Sequence, residues 1–352
     1  MEDQQLQFLE HLLETPSPSG EERAAARIWR EEAKGFADEV RVDVNGNSIA
    51  TLHGEAPRLL LAAHLDEIGL MLTHIDEDGM LYFDEIGEAE ASILVGQRVR
   101  LVGKSGDVLG VIAKRCAYFE QEGEPKSEPK LQDMWIDIGA RDSGQALERV
   151  QVGTAGVLDA PVKHFPNQRL VARGLDNRLG AFIILESLRR LAEARPKATV
   201  IAAATVQEEI SHAGAQTVAY ELKPEVAIVV DMTYATDHPE ADQKKYGDIR
   251  LGGGPVFSPG SANNPRLYEL LIETAEREGI AYSVQATPSS TGTDADVVFM
   301  SRAGIPVGLI SIPCRYMHTP NEMVEWGDVD ATVKLICAFV RALPEEGNYL
   351  PE

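Results

Sequence analysis

The stretch RLLLAAHLDEIG, residues 58–69, decides how the chain is read. From Leu59 to Ala63 it is apolar throughout, without the alternation of a half-exposed strand. That is the pattern of a strand buried on both faces of a parallel sheet. It then ends in His64, Asp66 and Glu67, three groups that are costly to bury without partners. Open α/β sheets bind ligands beyond the carboxyl ends of their strands, so a core strand that stops in an imidazole and two carboxylates points to a site at that edge.

Upstream, QQLQFLEHLL (4–13) spaces Leu6, Leu9 and Leu13 as a helix does. Ser19 and Glu22 read as a capping box opening a helix over about 20–34. VRVDVNGNSIATLHG (40–54) reads as a hairpin turning at Asn45-Gly46. Downstream the texture changes. From Gly69 to about residue 165 the chain is short alternating segments divided by glycine, such as LMLTHIDEDGMLYFDEI and QRVRLVGKSGDVLGVIA, with SGQALERV its one short helix. This predicts a small all-β unit. FEQEGEPKSEPKLQ (119–132), rich in Glu, Lys and Pro, reads as an exposed loop within it. Helical and strand patterns then alternate to the end, from NRLGAFIILESLRRLAEA through ATVIAAATV, EVAIVVDM and PVGLISI to VDATVKLICAFVRAL. The fold class is therefore α/β, with helices on both faces of the sheet. The expected division is a first part of the α/β domain over 1–68, a β insertion over 69–165, and the second part over 166–352.

Composition narrows the functional classes. The 352 residues are 44% hydrophobic and 25% charged, ordinary for a soluble globular protein. No run approaches the roughly 18 apolar residues of a membrane helix, and the acidic start MEDQQLQFLE is not a signal peptide. Cys116, Cys314 and Cys337 are widely spaced and form neither a zinc pair nor a disulfide framework, which suits a reducing cytoplasm. A net charge of −23 argues against nucleic acid and anionic membranes as partners.

The carboxyl ends of the expected strands share one residue class. RLLLAAH leads to His64 and Asp66, ATVIAAATVQEE to Glu208 and Glu209, EVAIVVDMT to Asp231, and PVGLISIPCRYMH to His318; Asp176 opens a helix in ARGLDNRLG. Each alone has an ordinary reading: a helix cap, a turn residue, a hydrogen-bonded histidine, the solvated start of a helix. Together at one sheet edge they form a thiolate-free oxygen and nitrogen donor set suited to Zn²⁺, Co²⁺ or Mn²⁺. Such carboxylates repel one another, and a divalent cation relieves that repulsion.

AAHLDEIG, GLDNRLGA, VQEE, VVDMT and IPCRYMHTPNE, in this order and spacing over nearly the whole chain, resemble the tetrahedral-aminopeptidase family of co-catalytic metallopeptidases, which includes glutamyl and deblocking aminopeptidases and has at times been labelled endoglucanase. The resemblance implies a zinc-peptidase-like mixed sheet interrupted by a barrel-like β domain. It implies two divalent ions per subunit, Zn²⁺ or Co²⁺, with Mn²⁺ also permitted. Asp176 would bridge them, His64 and Asp231 would complete one shell, and Glu209 and His318 the other. Asp66 would accept the second N–H of His64. Glu208 would be the general base, taking the proton of a water shared by the metals and handing it to the leaving amine. The implied activity is removal of N-terminal residues from short peptides with a free N-terminus, by dimers built into a dodecameric shell in the cytoplasm.

Remaining features carry less. TGTDAD (291–296) matches a loop near the site in that family, and Asp294 reads equally as the cap of a helix. Glu322, four residues after His318, is a candidate to orient it. His74, His212 and His238 have no motif support and read as structural. After Glu209 the chain has ISHAGA where relatives often have VGLRGA, which leaves the pocket wall open. A dinuclear carboxypeptidase or N-acyl amino acid deacylase is the nearest rival, but in those relatives the extra domain enters between the Asp ligand and the last His. A glycosidase would use Asp66 and Glu208 and leave His64, Asp176, Asp231 and His318 without a role.

Overall fold

In the computed structural model, which describes residues 3–116, 129–344 and 347–350, the apolar run forms the strand Glu55–His64. It lies inside an eight-stranded mixed sheet ordered 39–42, 48–52, 198–205, 55–64, 226–234, 307–314, 256–257 and 283–284. The long central strands 198–205, 55–64, 226–234 and 307–314 are parallel to one another. Ala198–Thr205, Val226–Tyr234 and Val307–Cys314 are buried along almost their whole length, as parallel strands covered on both faces must be. The expected hairpin is present: 39–42 pairs antiparallel with 48–52, and Oδ1 of Asp43 accepts the N–H groups of Asn45, Gly46 and Asn47 at 2.9 Å each.

Helices cover both faces. Asp3–Glu14, Arg23–Ala33, Leu175–Glu193, Pro265–Glu278 and Trp326–Ala342 pack on one side around Trp29, Phe182 and Phe257. Ala213–Leu222 and Ala295–Val298 pack on the other. Among the described residues no helix is long and apolar enough to cross a membrane. The helix expected from about residue 20 begins at Arg23, and Ser19 and Glu22 do not form a capping box. Both side chains turn to the sheet edge instead: the Ser19 hydroxyl donates to Asp66, and Oε1 of Glu22 accepts from the backbone N–H of Gln207 at 3.1 Å.

From Gly69 the chain builds a closed barrel of strands 69–75, 81–86, 134–137, 106–114, 98–103 and 155–158, all antiparallel neighbours. Alternate residues of 106–114, Val108 and Ile112 among them, point into its own core with Leu72, Leu101 and Ile136. Residues 119–128 of the expected loop lie outside the described residues; its end, Leu131–Asp133, is a single 3₁₀ turn. The chain leaves the barrel through a three-stranded antiparallel sheet, 163–165, 169–172 and 322–325, in which Ala172 stands opposite Glu322. That pairing brings the segment before Asp176 against the segment after His318.

Candidate metal centre

His64 ends its strand level with Thr205 of the neighbouring strand, at the carboxyl edge of the sheet. Its Nε2 lies 3.3 Å from Oδ1 of Asp176, 3.6 Å from Oδ1 of Asp231 and 3.7 Å from Oε2 of Glu208. On the far side of Asp176, Nε2 of His318 lies 3.5 Å from Oδ2 of Asp176 and 3.5 Å from Oε2 of Glu209. Asp176 thus stands between two triads, His64–Asp176–Asp231 and Asp176–Glu209–His318, each with its donor atoms within 4.8 Å of one another. These groups line a cavity of about 560 Å³, whose wall also includes Glu88, Tyr234 and Ile210.

Local backbone sets each side chain. Gly174 has φ 59°, and a Cβ there would meet Nη2 of Arg178 at 2.0 Å, so only glycine fits between the strand and the helix that follows. Asp176 and Asn177 depart from helical φ/ψ, so Asp176 projects into the cleft rather than capping the helix. Glu208 and Glu209 do not lie on a strand. Gln207 turns the chain at φ 58° into the short helix Glu208–Ser211. The Asp66 carboxylate accepts both of their N–H groups, at 3.1 Å each. The Nδ1 of His64 is 3.5 Å from Oδ1 of Asp66 and 3.2 Å from its backbone oxygen. Glu322 grips backbone rather than the imidazole: Oε1 accepts from His318 N at 3.0 Å and Oε2 from Asp176 N at 3.1 Å. Glu67 has a separate task. It pairs with the buried Arg173 and with Nη2 of Arg178 at 2.9 Å, so the strand tip is tied to the helix that carries Asp176.

The electrostatics fit a cation. Burial, then the Asp176 charge, holds Glu209 well above the usual carboxylate range. Burial pushes Asp231 up to about 7 and, with Asp176 adding to it, Glu322 up to about 8. Burial disfavours a charged His64, but the carboxylates around it, Glu208 foremost, outweigh that and raise it well above its ordinary value. Oδ1 of Asp176 is buried without a hydrogen-bond partner. An orphaned carboxylate oxygen amid carboxylates and imidazoles is the donor set a hard or borderline divalent ion needs. Cys314 is buried and its thiol faces the Arg315 carbonyl at 3.5 Å, apart from both triads.

The profile of M42 glutamyl aminopeptidases matches residues 46–335. The chain belongs to the M42 glutamyl aminopeptidase family. It is 33% identical over 340 residues to the lysyl aminopeptidase of Pyrococcus furiosus, a match covering 96% of this chain and 97% of that one. The crystal structure of a TET aminopeptidase from a marine sediment archaeon of the Thaumarchaeota superposes with a TM-score of 0.93 at 32% identity, covering 97% of each chain. A Pyrococcus horikoshii TET1 peptidase that can assemble into a tetrahedron or a large octahedral shell superposes with a TM-score of 0.87 at 30% identity, covering 96% of this chain and 100% of that one. As an M42 member the protein is an enzyme, a peptidase hydrolase of aminopeptidase type, and its fold is that of the TET aminopeptidases.

The seven residues expected from sequence at the site, His64, Asp66, Asp176, Glu208, Glu209, Asp231 and His318, meet at this one edge. Sequence reasoning passed over His212. It lies in the cavity wall with Nδ1 3.0 Å from Oε1 of Glu208. The signal available was its spacing, four residues after Glu208 at the start of a helix, where side chains face one another. Asp294 holds the cap position of the short helix Ala295–Val298 but makes no side-chain cap: its carboxylate turns inward and accepts from the Thr205 hydroxyl at 2.6 Å, while Oγ1 of Thr293 accepts the N–H of Ala295 at 3.1 Å.

Proposed function

We propose that this protein removes N-terminal residues from short peptides at a centre for two divalent cations, held by His64 and Asp231 on one side and by Glu209 and His318 on the other, with Asp176 shared. The observation that supports this is the division of Asp176, whose two oxygens face different histidines at 3.3 and 3.5 Å. Bound cations at such a centre supply Lewis acidity, lowering the pKa of an attacking water and polarising the scissile carbonyl.

The remaining work falls to the protein's own groups. Glu208 takes the water's proton and returns it to the leaving amine, as a general base and then acid. Its carboxylate is raised by burial, which favours proton uptake. Asp66 holds the backbone N–H groups of Glu208 and Glu209, and Glu322 those of Asp176 and His318, so the reacting and ligating groups keep their places as substrate arrives. The carboxylate-lined cavity, with Glu88 on its wall, attracts the cationic α-ammonium of a peptide N-terminus, which accounts for exopeptidase action. The shells formed by the TET1 peptidase support a homo-oligomer; the assembly proposed is a dodecamer built from dimers, with the β unit of 69–165 serving assembly and 1–68 and 166–352 forming one catalytic domain.

The test is a panel of aminoacyl p-nitroanilides with the metal-free protein, with added Zn²⁺, Co²⁺ or Mn²⁺, with EDTA, and with Glu208→Gln. Metal-dependent release that EDTA and Glu208→Gln abolish is the expected result. Activity that survives both would overturn the centre, and cleavage of N-acyl amino acids or a β-glucan alone would overturn the substrate class.

A further inference from the structure

His212 has no part in the reading above, yet its backbone is held in an uncommon conformation. It lies at φ 55°, ψ 20°, between the short helix Glu208–Ser211 and the helix Ala213–Leu222. For a residue with a Cβ this left-handed region is uncommon. The turn sends the imidazole back over its own helix to Glu208. Nδ1 stands 3.0 Å from Oε1 of Glu208 and 3.8 Å from Oδ1 of Asp294. Asp294 is 1% exposed. Its Oδ2 is occupied by the Thr205 hydroxyl, while its Oδ1 and the Nδ1 of His212 have no aligned hydrogen-bond partner. The other oxygen of Glu208, Oε2, faces Nε2 of His64 at 3.7 Å.

We propose that His212 is a positioning residue for the general base: anchored by Asp294, it holds Oε1 of Glu208 so that Oε2 stays directed at the cation centre and the attacking water. The inference rests on Glu208 acting as that base. Its physical ground is side-chain freedom. Glu208 stands at the start of a four-residue helix, with Oε2 towards His64 and Oε1 towards His212. Without a donor behind Oε1 the carboxylate can rotate about its own bonds, and a misplacement of about 1 Å can cost a hundredfold in rate. The Asp294 carboxylate, and after it that of Glu208, pushes the imidazole up to about 10. The 3.0 Å approach without alignment is what a catalytic contact shows before substrate tightens it.

The test compares His212→Gly, His212→Asn and Glu208→Gln in the metal-loaded full-length protein on the most rapidly cleaved aminoacyl p-nitroanilide. Glycine adopts the left-handed turn without cost, so folding is preserved and melting temperature checks it. Asparagine tolerates the same turn and its amide can stand where Nδ1 stands. The expected result is a loss of kcat of about tenfold or more in His212→Gly with KM within about twofold, and recovery of most of it in His212→Asn. Zn²⁺ uptake by the metal-free variants, followed by calorimetry, stays as in the wild type, which separates His212 from the ligands. Full kcat in His212→Gly with an inactive Glu208→Gln would overturn the inference alone, whereas an active Glu208→Gln would overturn the base itself. Full kcat together with relief from inhibition by excess Zn²⁺ would make Glu208, His212 and Asp294 a cation site instead, and would equally end the positioning role.

Discussion

The central sheet and the barrel follow opposite rules. The barrel closes from neighbouring segments between Gly69 and Leu158, with strands such as 106–114 putting alternate residues inside and outside. The central strands hide both faces, and their useful residues are at their ends, drawn from positions as far apart as His64 and His318. The barrel core is apolar, built on Leu72, Leu101, Ile112 and Ile136. The sheet edge concentrates charge that is unfavourable without a cation or a counter-ion. A local pattern can build a stable unit, whereas a reactive one has to be assembled from a distance and held against its own repulsion.

The largest break in that comparison is Glu208→Gln. We expect it to lower kcat by about 10²–10⁴-fold with little change in melting temperature, because the role proposed for Glu208 is in chemistry and not in packing; paired kinetics and calorimetry check it. Next is Glu67→Gln beyond the tip of the strand 55–64, which leaves the buried Arg173 and Arg178 without their carboxylate. Breaking a buried pair this way costs about 3–5 kcal/mol, so denaturant unfolding moves to a markedly lower midpoint. Ile112→Ala, in the barrel core and 0% exposed, is expected to cost about 2–5 kcal/mol while kcat per folded enzyme is unchanged. A fall in kcat there would mean that the barrel shapes the site.

The smallest effect belongs to the surface. Asp38 is held down to about 2 by its hydrogen bonds from Arg195 and the His53 N–H. Because the folded value is below the unfolded value of about 3.9, its contribution is present above about pH 4 and lost as pH falls through about 2. Asp38→Asn should lower the melting temperature at pH 7 by no more than about 2 °C, and the difference should shrink in thermal melts taken as the pH falls towards about 2.

Much of this was legible along the chain. Uninterrupted apolar runs such as Leu59–Ala63 and alternating ones such as Gly106–Lys114 differ in period, and period reports how many faces are covered. The ligand-type residues were visible because several core strands ended in the same chemistry. Local capping signals misled where a distant partner competed: Ser19 and Glu22 have the capping spacing but bond to Asp66 and Gln207, and Asp294 has the cap position but faces Thr205.

The sequence by itself determined the α/β class, the inserted β unit and the residue types of the site, since these follow from hydrophobic period and from the cost of burying charge. Only the tertiary structure decided which oxygen of Asp176 faces which histidine, that Asp66 and Glu322 grip backbone N–H groups, and that His212 reaches Glu208. The physical reason is that Asp176 meets its histidines, and Asp66 meets Glu208, across distant parts of the chain, while the short-range contacts of His212 and Glu322 depend on left-handed turns at Gln207, His212 and His318. No local propensity encodes such turns in residues with a Cβ; packing around them imposes the conformation.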